Sequence, residues 1–176
     1  MEKVKVIIMG LGAMGGGMAD MLLKKQGVEI VGVVGRGKML GTSMYDHIST
    51  PRGDREDVIV GAMEDVITEK AADVVLLCTD SFTRKAFDKI KFIVEKKINV
   101  ISSAEEMAYP MAQEPELAKE IDRLAKENGV SVLGTGINPG LIMDLLVILM
   151  TGCCEEVHSI LSRRVNSLSP FGPAVM

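Results

Sequence analysis

The sequence has 176 residues, of which 47% are hydrophobic and 25% charged, with 20 Lys and Arg against 24 Asp and Glu and a net charge of −4. This is the composition of a folded globular chain, and the length suits one domain of about 100 to 200 residues with at most part of another. The negative charge argues against nucleic acid as a partner, because binding a phosphate backbone needs a basic surface. Apolar runs such as 145–150 fall far short of the roughly 20 residues of a membrane span, so we expect no membrane segment and a cytoplasmic protein. The three cysteines form no CxxC pair and the two histidines lie far apart, which predicts neither a metal site nor a disulfide framework.

The N-terminal residues predict a strand, a tight turn and a helix. Residues 3–9 are apolar and rich in β-branched side chains, and they lead into Gly10-Leu-Gly-Ala-Met-Gly15 and an apolar-periodic stretch that runs to Lys25. Gly27 suits the end of that helix, and residues 28–34 predict a second strand. Together these elements form a βαβ unit.

The middle of the chain alternates helices and strands, which predicts an α/β fold with a doubly wound parallel sheet and right-handed crossovers. One long connection, 35–57, contains a short helix near 39–47. In chain order we then expect strand 58–60, helix 64–70, strand 73–78, a helix from about 81 to 96 capped by Asp80 or Ser81, strand 98–102, helix 115–128 closed by Gly129, strand 130–133 and an apolar helix near 141–150.

Residues 156–165 alternate apolar and polar side chains like a half-buried strand, and the printed sequence ends soon afterwards without partner strands. We therefore expect a first domain at 1–150 and, at 151–176, the beginning of a second α+β domain that is incomplete. The alternative is a C-terminal strand that joins the edge of the main sheet.

The glycine-rich sequence at 10–15 is the most informative motif. The pattern GxGxxG is weak alone, but here it follows a predicted strand and opens a predicted helix, as in Rossmann-type dinucleotide-binding domains. Gly10 allows the tight turn, Gly12 lets the backbone approach a pyrophosphate, and Gly15 permits close helix packing. The free N–H groups at the start of the helix, where Ala13 and Met14 lie, suit phosphate oxygens. We predict nucleotide binding, and the alternative is a glycine turn that is only structural.

The choice of dinucleotide depends on residues about 20 positions past the glycine motif, where NAD-binding chains carry an Asp or Glu for the ribose 2′-hydroxyl. This chain has Gly35-Arg36 there, with Lys38 two residues on, and Glu29 lies at the wrong end of its strand. A missing carboxylate and a planar cation favour a 2′-phosphate. We predict NADP or dual use with NAD; the alternative for Arg36 is a solvated loop cation.

Polar residues follow two further predicted strands, and ligands of such sheets bind outside the carboxyl ends of the strands. The residues predicted to flank a nicotinamide on this basis are Thr79, Asp80 and Ser81 after the first of these strands, and Ser103, Ala104, Glu105 and Glu106 after the second. Glu105 is also of interest, because a carboxylate beside a hydride acceptor can deprotonate an ammonium group or activate water. The equal alternative is that Glu105 and Glu106 are solvated loop residues.

Three motifs carry a resemblance to a known enzyme family. They are the glycine motif, Ser103-Ala-Glu-Glu-Met-Ala-Tyr-Pro110 and Thr135-Gly-Ile-Asn-Pro-Gly140. With them the chain resembles, to about residue 170, the amine dehydrogenases that include 2,4-diaminopentanoate dehydrogenase, whose N-terminal halves look like those of dihydrodipicolinate reductases. The resemblance implies NAD(P)-dependent oxidative deamination of an amine, in that enzyme the conversion of 2,4-diaminopentanoate to 2-amino-4-oxopentanoate and ammonia.

The resemblance also implies roles for single residues and a subunit arrangement. The family's glutamate that faces the substrate nitrogen maps onto Glu105, and a pocket residue maps onto Tyr109. Asn138 and Pro139 map onto a loop on the cofactor side near the nicotinamide. The family's second domain often forms a dimer interface, so a homodimer or higher homo-oligomer is expected of a full-length member.

Two departures from these families shape the expectation. Residues 163–172 lack the His-His and Lys cluster and the Pro-Ser-Gly-Thr loop of dihydrodipicolinate reductases, which disfavours a reductase. Full members of the amine dehydrogenase family continue into a substrate domain, so we expect this chain to bind cofactor but to lack most of the substrate pocket. The alternatives are a dihydrodipicolinate- or diaminopimelate-type reductase or dehydrogenase, and a module that binds NADP(H) without turnover.

Overall fold

The computed structural model describes residues 2–165 and divides the chain into two compact units, Met1–Gly136 and Ile137–Met176. Each unit has its own architecture. The domain limits of 1–150 and 151–176 stay a prediction. Among residues 2–165, no helix has the length and apolar character needed to cross a membrane.

The first unit is built on one parallel sheet of six strands, as predicted. Across the sheet the strands follow the order 3-2-1-4-5-6. Strands 2 and 3 lie on one side of the first strand and strands 4 to 6 on the other. The connections therefore diverge between the first and fourth strands, which leaves a crevice at the carboxyl ends of these two strands. The strands are β1 (Val4–Met9), β2 (Val28–Val34), β3 (Val60–Gly61), β4 (Val74–Leu77), β5 (Asn99–Ser102) and β6 (Val132–Gly134).

Helices cover both faces of the sheet, which explains why its strands read as continuous apolar runs. Ile7 and Ile8 of β1 point to opposite faces and are 1% and 0% exposed. Ile7 belongs to the core cluster that includes the third and fourth helices, and Ile8 belongs to the cluster that includes the first. The helices of the first unit are α1 (Ala13–Leu22), α2 (Met63–Val66), α3 (Thr83–Glu95) and α4 (Pro115–Asn128), and α5 (Leu146–Thr151) belongs to the second unit.

Several local predictions were wrong in detail. The strand expected at 58–60 is β3, which has only two residues, and the helix expected at 64–70 ends at Val66. The short helix expected near 39–47 is a pair of 3₁₀ turns, Gly37–Met39 and Met44–His47, because the Ser43 hydroxyl accepts a hydrogen bond from the Tyr45 N–H and favours a turn at that point. The cap of α3 is Phe82 rather than Asp80 or Ser81.

The second unit begins with a helix, close to the prediction for 141–150. Its first turn, Leu141–Leu145, is π-helical, and α5 follows directly. The Asp144 carboxylate accepts a hydrogen bond of 2.6 Å from the Gly140 N–H at the helix start. Residues 156–165 form no strand, so the strand expected there is wrong: alternation is not enough without a neighbouring strand to pair with. The expectation that a second domain begins at 151 stays a prediction. Positions 166–176 of the predicted second domain lie outside the described residues.

Candidate functional site

The glycine loop, residues 10–15, connects β1 to α1 at the carboxyl edge of the sheet. Gly10 has φ +97° and donates its N–H to the Val34 carbonyl at 2.9 Å. A Cβ atom on Gly10 would lie 2.8 Å from the Thr79 methyl carbon, and one on Gly15 would lie 1.7 Å from the Gly10 carbonyl oxygen. Both positions therefore need glycine for the loop to close against its neighbours.

Gly12 differs from these two glycines, because a Cβ atom there would meet nothing within 4 Å and its φ of −71° suits any residue. Folding alone does not require glycine at this position. The open space lies at the start of α1, where Ala13 and Met14 are exposed and the first N–H groups lack partners within the helix. The first turn carries no acidic side chain. The space and the free donors fit a dinucleotide pyrophosphate.

A cationic segment follows β2 beside the glycine loop. Arg36 and Lys38 are both exposed, and within residues 2–165 neither side chain has an ion-pair partner. The bond from Gly10 to Val34 places this segment next to the glycine loop. Both cations are thus available to a phosphate group.

Residues 42–50 fold against α1, a feature that sequence reasoning missed. The Asp20 carboxylate of α1 accepts hydrogen bonds from the Ser49 and Thr50 N–H groups at 3.1 and 2.6 Å. Hydrogen bonds from Thr50 and Ser49 lower the pKa of Asp20. A bond of 2.7 Å between Thr42 Oγ1 and His47 Nε2 stabilises the same segment. The only sequence signal for these two hydrogen bonds is the presence of a charged residue, Asp20, within an otherwise apolar helix.

The segment after β4 carries two of the polar residues predicted to flank a nicotinamide, Thr79 and Asp80. Asp80 Oδ2 accepts hydrogen bonds of 2.5 Å from the Thr79 hydroxyl and from Lys89 Nζ, a residue that sequence reasoning missed. Because Thr79 donates its proton to Asp80, the Thr79 oxygen can only accept a further hydrogen bond. Burial raises the pKa of the Cys78 thiol, whose sulfur lies 3.5 Å from Met18 Sδ. This keeps Cys78 a packing residue.

The carboxylate loop, residues 104–109, follows β5 and separates the roles of its two glutamates. Glu106 Oε2 accepts a 2.9 Å hydrogen bond from the Thr83 N–H at the start of α3, and the Glu106 N–H donates to the Ser81 carbonyl at 3.1 Å. Glu105 is exposed and has no hydrogen-bond partner among residues 2–165. Tyr109 is 69% exposed. Glu105 and Tyr109 are therefore the two side chains of this loop that are free to meet a ligand.

Close backbone contact with β6 fixes the carboxylate loop from the other side. A Cβ atom on Gly134 would lie 1.8 Å from the Met107 carbonyl oxygen, so only glycine fits. Met107 itself is buried. Ser103 donates its N–H to the Leu77 carbonyl at 3.0 Å, which joins the start of the loop to the end of β4. This bond holds the ends of β4 and β5 side by side, and the roles predicted for Thr79, Asp80 and Ser103 at a cofactor stay a prediction.

Asn138 and Pro139 belong to the second unit, where both are partly buried and joined by a cis peptide bond. Their place beside a cofactor stays a prediction. Within residues 2–165, no three His, Cys, Asp or Glu side chains are grouped to hold a metal ion.

The parallel sheet and the glycine loop agree with a family comparison. Residues 4–135 match the oxidoreductase family with an NAD-binding Rossmann fold. The chain belongs to this family. Residues 141–176 match the 2,4-diaminopentanoate dehydrogenase C-terminal domain. The predicted Rossmann-type fold and the resemblance to the amine dehydrogenases are confirmed.

Solved structures show the same fold. The amine dehydrogenase from Mycobacterium smegmatis is 28% identical, with a TM-score of 0.74 over 88% of this chain and 45% of that one. A meso-diaminopimelate dehydrogenase from Clostridium tetani is 18% identical, with a TM-score of 0.64 over 85% of this chain and 42% of its own. The homoserine dehydrogenase of S. aureus is 17% identical, with a TM-score of 0.55 over 76% of this chain and 33% of its own. This chain spans less than half the length of each of these proteins.

Proposed function

We propose that this chain is the cofactor-binding part of an NAD(P)-dependent amine dehydrogenase that oxidises 2,4-diaminopentanoate to 2-amino-4-oxopentanoate and ammonia. The observation that carries the proposal is the free, exposed carboxylate of Glu105 on a loop at the carboxyl edge of a sheet that carries the glycine loop. The match of residues 141–176 to the C-terminal domain of 2,4-diaminopentanoate dehydrogenase supports this substrate.

The cofactor part of the proposal assigns each polar group at this edge a ligand group of matching chemistry. The open space at Gly12, the N–H groups of Ala13 and Met14 and the tight contacts of Gly10 and Gly15 support pyrophosphate binding. Arg36 and Lys38 are exposed cations without an ion-pair partner among residues 2–165, which supports a preference for NADP, with its 2′-phosphate, over NAD. The groups proposed to orient the nicotinamide are Thr79, Asp80 and Ser103. A bound nicotinamide supplies the hydride acceptor for the reaction.

Glu105 is proposed as the acid-base group. Its carboxylate takes a proton from the substrate ammonium group, which frees the nitrogen lone pair that assists loss of hydride from the neighbouring carbon. Glu105 then releases this proton to solvent, and the regenerated carboxylate takes a proton from the water that attacks the resulting imine. The balanced reaction consumes amine, water and oxidised cofactor, and it releases ketone, ammonia, reduced cofactor and a proton. Tyr109 is proposed to form a wall of the pocket beside Glu105.

The test is Glu105→Gln in the longest natural form of the protein, with reduced nicotinamide followed by its absorbance. Gln keeps the size of the side chain but cannot take the proton, so we expect turnover of 2,4-diaminopentanoate to fall about 100-fold or more. The affinity for NADPH, measured by fluorescence titration, should stay within about twofold of wild type because Glu105 is not assigned to the cofactor. Glu64→Gln, on the exposed surface of α2, is the matched control. Equal turnover in the Glu105 variant removes the proposed role.

A substrate panel separates the competing activities. One outcome is turnover of meso-diaminopimelate, or reduction of dihydrodipicolinate, with no turnover of 2,4-diaminopentanoate. This outcome would refute the proposed substrate and assign the protein to the diaminopimelate or dihydrodipicolinate class. Tight NADPH binding with no turnover of any amine or imine identifies a binding module.

A further inference from the structure

We infer that Glu106 is a positioning residue that holds the neighbouring Glu105 at the carboxyl edge of the sheet. The inference rests on the proposed function of Glu105, and it assigns the two adjacent glutamates different tasks. Glu106 acts through the backbone of its own loop and of α3, without contact with the substrate.

The start of α3 supplies the first reason. The residue at the cap position is Phe82, whose side chain cannot accept a hydrogen bond from the helix N–H groups. The Glu106 carboxylate, 23 positions along the chain, accepts the Thr83 N–H instead, at 2.9 Å. A negative group at a helix N-terminus is also favoured by the helix dipole. Glu106 thus replaces the missing local cap with a bond from the next loop.

The second reason is that Glu106 is held at two points. Its side chain bonds to Thr83, while its own N–H donates to the Ser81 carbonyl at 3.1 Å. The two bonds join the 3₁₀ turn Glu105–Ala108 to the segment between β4 and α3. Rotation of the turn away from that segment would break both bonds.

The opposite side of the same turn is closed by β6. The Met107 carbonyl lies where a side chain on residue 134 would be, and the buried Met107 side chain belongs to the core cluster. The turn is therefore clamped between α3 and β6. Glu105, the residue before Glu106, is left exposed with its backbone fixed. An acid-base group needs this kind of support, because small displacements of such a group cost large factors in rate.

The test compares Glu106→Gln with Glu106→Ala, since only Gln can still accept the Thr83 N–H. In the 176-residue chain, we expect hydrogen exchange of the Thr83 amide to rise about tenfold or more in the Ala variant and to change little in the Gln variant. Backbone NMR relaxation of residues 104–108 should show greater mobility in the Ala variant alone. Glu64→Ala is the control for loss of an exposed carboxylate.

Activity supplies the second readout, in the longest natural form of the protein. We expect Glu106→Ala to lower kcat about tenfold with little change in NADPH affinity, and Gln to restore most of that loss. Equal loss in the Gln and Ala variants overturns the inference, because it makes the charge of Glu106 itself the reactive feature. Unchanged exchange at Thr83 in the Ala variant also overturns it. A wild-type protein that turns over no amine refutes the proposed function, while the NMR comparison still decides whether Glu106 anchors the loop.

Discussion

The glycine loop and the carboxylate loop lie at the same edge of the sheet but are held in place by opposite means. The glycine loop closes because side chains are absent, with Gly15 in contact with the carbonyl of Gly10. The carboxylate loop is fixed by a particular side chain, Glu106, and by a backbone contact with a distant glycine, Gly134. The tightest contact of the first loop lies between two of its own residues, whereas the second loop depends on α3 and β6. The two loops should therefore fail in different ways when they are mutated.

Gly15→Ala should have the largest effect, since its Cβ atom would overlap the Gly10 carbonyl at 1.7 Å. We expect the free energy of unfolding to fall by about 3 kcal/mol and NADPH binding to be lost. Urea denaturation and fluorescence titration measure the two effects. Gly17→Ala is the control, because the same helix has open space there, and it should raise stability by about 0.5 kcal/mol. Similar results for the two variants would contradict the steric account of the loop.

Gly134→Ala tests the carboxylate loop in the same way, because the new Cβ atom would overlap the Met107 carbonyl at 1.8 Å. We expect a loss of about 2 kcal/mol in the free energy of unfolding, because the overlap forces β6 and the carboxylate loop apart. The folded fraction should still bind NADPH, because the glycine loop is untouched. Leu133→Ala, at an exposed neighbour on β6, is the control. Loss of NADPH binding in the folded Gly134→Ala protein would contradict this account, because it would show that the glycine loop depends on the carboxylate loop.

Arg36→Ala tests the adenosine side of the glycine loop. Removal of a cation that we propose binds the 2′-phosphate should weaken NADPH binding about tenfold and leave NADH binding within about twofold. Titrations with both cofactors at low and high salt measure this difference. Lys25→Ala, an exposed cation beyond the end of α1, is the control. An equal loss for both cofactors would assign Arg36 a structural role.

The smallest effect is expected at Cys78, which directly follows β4. Burial raises the pKa of this thiol, so at a given pH less of it is the reactive thiolate. Alkylation by iodoacetamide at pH 8 should be slower than at the exposed Cys153 and Cys154, and it should accelerate as the pH rises further. Mass spectrometry of the modified peptides gives the rates. Equal rates at all three thiols would show that the end of β4 is open to solvent.

Local patterns predicted most of the first unit. Strand β2 and helix α4 were placed at their observed limits, because an apolar β-branched run and a helix bounded by Pro115 and Gly129 need no information from elsewhere in the chain. Residues 156–165 show the opposite case. Alternation there predicted a strand, but a strand also needs a hydrogen-bonded neighbour, which a local pattern cannot reveal.

The candidate site divides in the same manner. The glycine motif and Arg36 could be found from spacing, and the carboxyl ends of β4 and β5 pointed to Thr79, Asp80 and Ser103. Residue pattern could not separate Glu105 from Glu106, because the bond that distinguishes them joins positions 83 and 106, and only the family resemblance singled out Glu105. The pairing of Asp80 with Lys89 and of Asp20 with residues 49 and 50 likewise depends on how the elements pack.

The most direct measurement compares Gly12→Ala with wild type, because the central claim is that the open space at Gly12 belongs to a nicotinamide dinucleotide. A Cβ atom there meets nothing within 4 Å, so the free energy of unfolding should stay within about 0.5 kcal/mol of wild type. NADPH affinity should fall about tenfold or more, because the new methyl group would occupy the space of the pyrophosphate. Unchanged affinity in a folded Gly12→Ala protein would contradict the claim that this loop holds the cofactor.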